Sequence, residues 1–196
     1  MQKNYPAGSV TTQTLYDSQI GGKFVRLYAQ PGYENSCAVR MSYGLNRSGL
    51  TLAKGGGASI QGGDGYWYWL RVADLKAELA RRFKGVDEEL GLTVIPKTLL
   101  KDDAALALQI KERVRQGQEF IDTRLAGKNG IVAFEVSGWG DASGHFTLWD
   151  GSARTLAYAD GHNDSGNTDF YFWLTQVDPE RTRLIQTVRV KFWELK

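Results

Sequence analysis

The chain changes character once, and that change constrains its fold more than any other feature. Up to about residue 125 its apolar residues recur at helical spacing; after Gly127-Lys-Asn-Gly130 they come in short β-like runs. Leu70, Ala73, Leu75, Leu79 and Phe83 keep near-helical spacing within Tyr66–Gly85, and Gly85 ends the pattern. Asp102-Asp103 opens a second helical stretch, whose acidic start suits the helix dipole; it runs to Leu125 with an interruption expected at Gly117. Beyond the change, Ile131–Val136, Gly144–Trp149, Thr155–Tyr158, Phe170–Leu174 and Leu184–Trp193 read as strands, the second and third joined across the turn dipeptide Asp150-Gly151. Helices followed by strands imply an α+β fold, an N-terminal helical part packed on a C-terminal antiparallel β-sheet. Residues 1–22 read as an irregular arm, Lys23–Tyr28 as a short strand, and the Gly-rich stretch 54–65 as a loop or hairpin that lacks the Gly-Lys-Ser/Thr of a phosphate loop. At 196 residues the chain is expected to form a single domain over 1–196.

Several function classes fall away. Net charge is +2 with no basic block, which argues against nucleic acid. No stretch approaches the roughly 20 apolar residues of a membrane span. The segment Met1–Tyr16 is polar and does not read as a signal peptide, so the protein is expected to be made in the cytoplasm. One cysteine excludes an internal disulfide and a cysteine-rich zinc site. Asp141, Asp150, Asp160 and Asp164 lack the spacing of a calcium-binding helix–loop–helix. No metal or organic cofactor is expected.

The single Cys37 and the two histidines, His145 and His162, leave few pairings for thiol chemistry. Asn35-Ser36 reads as a helix cap, with Ala38, Met41 and Leu45 on one helical face behind it. That puts Cys37 in a first helical turn, where unpaired N–H groups and the dipole favour a thiolate and can hold an oxyanion. His145 lies on a later strand, where it can serve as general base and pair with the thiolate. A cysteine on a helix start with a histidine on a later strand is the papain-like order. A hairpin at Asp150-Gly151 sets His145 opposite a residue near Leu156 to Tyr158, and side-chain alternation carries Asp160 to the same face. Asp160 is therefore the candidate that orients the imidazole; Asp150, His162 and Asn163 are alternatives.

Blander readings compete. A lone cysteine is often a buried small hydrophobe. Tyr66-Trp67-Tyr68-Trp69 reads as core or cleft wall, or as an exposed platform for a non-catalytic cell-wall or glycan-binding domain. A Cys-dependent transpeptidase or acyltransferase would use the same thioester with an amine in place of water.

Two segments carry a resemblance. Asn35-Ser-Cys-Ala-Val-Arg-Met-Ser-Tyr-Gly-Leu-Asn46 resembles the nucleophile segment of the type VI secretion amidase effectors, family 4, and Trp139-Gly-Asp-Ala-Ser-Gly-His-Phe-Thr-Leu-Trp-Asp-Gly151 resembles that family's histidine segment. Val190-Lys-Phe-Trp-Glu-Leu195 is similar to its last strand, and Tyr68–Gly85 to the helix between the two catalytic segments. The resemblance implies a papain-like fold of the NlpC type and hydrolysis of the γ-D-glutamyl–meso-diaminopimelate bond in peptidoglycan stem peptides. It implies secretion by a type VI machine into the periplasm of target bacteria, as an antibacterial toxin, and a cognate immunity protein that plugs the cleft. Cys37 matches the family nucleophile, His145 the base, and Asp160 the acid. The chain departs from the pattern in lacking a cysteine pair that some members carry near that acid, and in a longer spacing from His145 to Asp160.

Overall fold

A computed structural model describes residues 1–55, 57–140 and 142–196. Gly56 of the Gly-rich stretch and Asp141 lie outside the described residues. Helix α1 spans Cys37–Arg47. A hairpin of β1 (Ser59–Gln61) and β2 (Trp67–Trp69) follows, then α2 (Val72–Arg82), β3 (Glu88–Gly91) and α3 (Asp103–Arg124). The β-rich half comprises β4 (Asn129–Ser137), β5 (Gly144–Asp150), β6 (Thr155–Leu156), β7 (Thr175–Val177) and β8 (Leu184–Glu194). The sheet runs β3-β8-β4-β5-β6, with β7 also on β8, and its pairings are antiparallel. This is the mixed helix-and-antiparallel-sheet architecture expected.

Alternation along β4 sorts the core into two layers. Ile131 and Ala133 pack with Phe146 and Leu148 of β5 against Ala38, Met41 and Leu45 of α1 and Leu75 and Leu79 of α2. Val132, Phe134 and Val136 pack on the opposite side, with Phe120 and Ile121 of α3 and the apolar run Phe170–Leu174. Helix α1 is buried on nearly every side, because a third cluster (Leu15, Tyr16, Ile20, Phe24 and Leu27 with Val39 and Tyr68) covers its other flank.

That third cluster changes the reading of the N-terminus. Residues 1–22 are not wholly irregular: they hold a π-helix at Thr14–Ile20 whose Leu15, Tyr16 and Ile20 are buried. Lys23–Tyr28 is not a strand. Phe24 and Leu27 are buried and Val25 is exposed, a three-residue spacing that suits the turns and 3-10 helix (Leu27–Ala29) found there. Phe170–Leu174 is not a strand either. All five residues are buried, so no face is free for alternation, and Thr187 Oγ1 donates to the Tyr171 carbonyl at 2.7 Å in place of a strand ladder. Helix α3 runs through Gly117 without a break.

Candidate active site

Cys37 is the first residue of α1 and only 6% exposed. Ser36 occupies the cap position, but its hydroxyl does not cap the helix. Instead it accepts from Arg40 Nε at 2.9 Å and lies 3.1 Å from Thr12 Oγ1. The backbone amides of Phe146, Ala38 and Cys37 itself favour the charged form of the sulfur. The thiol therefore sits in the cradle that a helix start provides for negative charge.

His145, the second residue of β5, lines the same cleft of about 260 Å³ as Cys37, together with Asn35, Trp139, Asp160 and His162. Its Nε2 lies 2.8 Å from the Tyr158 carbonyl oxygen. A carbonyl can only accept, so Nε2 carries the proton and Nδ1 is left as the basic nitrogen. Tyr171 stacks on the imidazole at 4.4 Å with the planes 13° apart, and Tyr158 covers it at 5.5 Å. Gly144, just before the histidine, has no room for a side chain, since a Cβ there would meet the Phe134 carbonyl at 2.1 Å.

The hairpin register differs from that expected. Asp150 pairs with Thr155 and Trp149 with Leu156, so the loop is four residues long and the same register extended would set Asp160 against His145. Pairing ends first: Ala157 N donates to the Leu148 carbonyl, Tyr158 N turns to Thr147 Oγ1, and the Tyr158 carbonyl meets the imidazole. Asp160 lines the cleft, is exposed, and has a left-handed φ of 48°. The alternatives are engaged elsewhere. Asp150 accepts from Ser152 and Ala153 within its turn, and Asn163 ties Thr155 and Leu156. His162 lines the cleft with Nδ1 3.0 Å from the Asp169 carbonyl oxygen.

Electrostatics favour a neutral resting pair rather than the ion pair expected of a thiol at a helix start. Burial pushes the Cys37 thiol up, while the backbone amides and Arg40 pull it back. His145 is lowered from 6.5 to about 4, chiefly by burial, with the Tyr158 carbonyl opposing and His162 and Arg40 adding to the shift. The phenols of Tyr158 and Tyr171 are raised, chiefly by burial.

A second lobe of about 440 Å³ opens on the other side of the thiol, lined by Leu70, Arg71, Val72 and Ala73. The two lobes share Asn35, Cys37, Ala142 and Gly144, so one groove passes over the sulfur. Sequence reasoning did not single out the Tyr158 carbonyl, Tyr171 or Arg71. A backbone carbonyl leaves no mark in a sequence, but the aromatic density of Phe170-Tyr-Phe-Trp173 was a signal for a wall around the imidazole. Of the Tyr66–Trp69 run, Tyr68 is core and Trp67 and Trp69 are partly buried, with Trp69 Nε1 donating to the Ala53 carbonyl at 2.9 Å.

Similarity to known proteins bears on the same residues. A comparison with curated proteins finds no match. Among solved structures, the type VI effector Tae4 from Enterobacter cloacae is 25% identical with a TM-score of 0.60, covering 96% of this chain and 89% of that one. The Tae4–Tai4 effector–immunity complex from Salmonella Typhimurium aligns at 22% identity and a TM-score of 0.61, over 100% of this chain and 97% of that one. The Enterobacter cloacae Tae4–Tai4 complex gives 24% and 0.59, over 97% and 99%. Residues 33–173, from just before Cys37 to the aromatic wall beyond His145, match a family as a whole, and the chain belongs to it: type VI secretion system (T6SS), amidase effector protein 4.

Proposed function

We propose that the protein is a cysteine amidase that hydrolyses the γ-D-glutamyl–meso-diaminopimelate bond of bacterial peptidoglycan. The observation that carries the chemistry is one cleft lined by a thiol at a helix start and an imidazole whose Nε2 is committed to a carbonyl. The amidase description of the family supports the reaction class, and the groove on both sides of the sulfur suits a peptide lying across it.

In this reading His145 Nδ1 takes the Cys37 proton as the sulfur attacks the amide carbonyl carbon, so the thiolate forms during attack rather than before it. Amides of the first helical turn hold the oxyanion, with Asn35 at the lip of the groove. The tetrahedral species collapses, breaking the C–N bond, and His145 returns the proton to the leaving amine. Water, deprotonated by His145, then cleaves the thioester and restores the thiol. The Tyr158 carbonyl holds the ring. We assign Asp160 a part in holding the ring through the backbone, since its left-handed turn lies two residues after that carbonyl.

The family and its solved complexes support three further parts of the proposal. The protein is delivered by a type VI system, acts in the periplasm of target bacteria, and is neutralised by a cognate immunity protein seated in the groove. The test is digestion of purified sacculi, read by chromatography and mass. Wild type should release fragments that begin with the free amine of meso-diaminopimelate and leave the glycan strands with peptides ending in D-glutamate with a free γ-carboxyl. Cys37→Ala should fold and release none, and turnover in that folded variant would refute the scheme. An added amine should leave the products unchanged; its incorporation would mark a transferase.

A further inference from the structure

Arg40 follows Cys37 by three residues on α1 and is 1% exposed. Its guanidinium makes no ion pair among the described residues. It donates to Ser36 Oγ at 2.9 Å through Nε, to the carbonyls of Pro6 at 2.9 Å and Ala7 at 3.1 Å through Nη1, and to that of Val10 at 2.7 Å through Nη2. Its face lies 4.0 Å from the centre of the Tyr158 ring. A buried cation supported only by neutral acceptors is an expensive arrangement.

What Arg40 touches explains its placing. Ser36 is the residue before the nucleophile, and Tyr158 is the residue whose carbonyl holds His145 Nε2. Residues 6–10 form a strap over both, since Gly8 N donates to the Ala157 carbonyl at 2.9 Å, next to Tyr158. The planar fork and flat face of a guanidinium are needed to reach the hydroxyl, the strap and the ring together.

We propose that Arg40 is a positioning residue of the reaction, a buried clamp that sets the start of the nucleophile helix against the Tyr158 carbonyl and so fixes the thiol relative to the imidazole. The inference rests on the reading of Cys37 and His145 as the reacting pair. Arg40 also supplies a charge. The titratable groups that act on the thiol are Tyr5 and Tyr16 from the N-terminal segment and Tyr158 and Tyr171 around the cleft, which His145 also lines; His162 acts on the imidazole and Asp160 on the two cleft tyrosines. The four phenols are held neutral by burial, so among the described residues Arg40 is the cation that acts on the sulfur, while the carboxylate of Asp160 lines the same cleft.

The test measures kcat, KM, thermal unfolding and the pH dependence of Cys37 alkylation by iodoacetamide in full-length variants. Arg40→Lys keeps the charge and loses the fork; kcat should fall about tenfold to a hundredfold, the scale of a small misplacement of reacting groups, with KM within twofold. Arg40→Gln loses both, so its alkylation midpoint should also move to higher pH. Arg113 is the control. It is equally buried and likewise donates to neutral acceptors, but it sits between α3 and the segment Leu174–Thr175, and neither it nor any of its acceptors lines the cleft. Arg113→Lys should lower the unfolding temperature and leave kcat per folded molecule unchanged. Wild-type kcat in either folded Arg40 variant, or an equal kcat loss in Arg113→Lys, overturns the inference. If neither Arg40 variant folds, Ser36→Ala decides: it removes one acceptor of the clamp, and wild-type kcat there overturns the inference equally. Cys37→Ala in the same assay separates the two levels. Activity in that variant refutes the reacting pair, whereas an inactive Cys37→Ala beside fully active Arg40 variants refutes only the clamp.

Discussion

His145 is held on three sides, by a carbonyl at Nε2 and by the rings of Tyr171 and Tyr158. Burial keeps it neutral, and that has a consequence for stability. Between about pH 4 and 6.5 the imidazole is neutral in the folded chain and charged in the unfolded one. The unfolded state therefore binds the extra proton. Stability from this group is complete above pH 6.5 and is lost as pH falls towards 4, by at most about 3 kcal/mol. Denaturant titrations over that range should show the loss, and His145→Gln should flatten it. The acid limb of kcat/KM should lie well below 6.5 for the same reason. Asp160 makes a different prediction from that of a hydrogen-bonding acid. Its φ of 48° is tolerated by Asn but strained for a β-branched residue. Asp160→Asn should retain kcat within about tenfold, while Asp160→Val should lose substantially more and unfold at lower temperature.

At the scale of elements, α1 owes its position to being apolar on two sides, so that it is wedged between the sheet and the N-terminal cluster. The helix start at Cys37 was legible from Asn35-Ser36 and from Ala38, Met41 and Leu45, but the function of Ser36 was not. Its hydroxyl is drawn off by Arg40 and Thr12, which come together only in the fold. The strands β4, β5 and β8 were legible as apolar runs, whereas Phe170–Leu174 was misread because propensity cannot tell a strand from a segment buried on every side. Gly117 is the comparable case on α3. Glycine suggested an interruption, yet it lies inside the helix because a Cβ would come within 2.6 Å of Trp173 Cε3 and 3.2 Å of the Phe172 carbonyl. Gly117→Ala should therefore destabilise by up to about 2 kcal/mol in urea titrations, overpacking of about 1–3 kcal/mol outweighing a gain of about 1 in helix propensity.

Across the whole molecule, the sheet is covered on both faces and the two proposed reacting groups come from its two sides. Phe146 and Leu148 face the layer of α1, while Trp149 faces the layer of α3 and His145 stacks on Tyr171 of that layer. The groove opens where the start of α1 meets the start of β5. Strand β4 pairs with both β5 and β8 and is buried from Gly130 to Phe134. Its amides should exchange with solvent most slowly, at the rate of global unfolding, while the turn 151–154 and the short β6 exchange faster; hydrogen exchange read by mass or NMR checks the ranking.

The residue types and their order settled a good deal in advance. One cysteine at a helix signal and two histidines, one of them in an apolar run, limited thiol chemistry to two pairings with Cys37–His145 the better candidate, and the switch from helical to alternating periodicity implied helices on an antiparallel sheet. Local pattern carries such information because caps and periodicity act over a few neighbouring residues. Which group holds the imidazole was beyond its reach. That depended on how far a hairpin keeps its register before turning away, and on a strap, a buried guanidinium and an aromatic wall that lie far apart in the chain and meet only when the core closes.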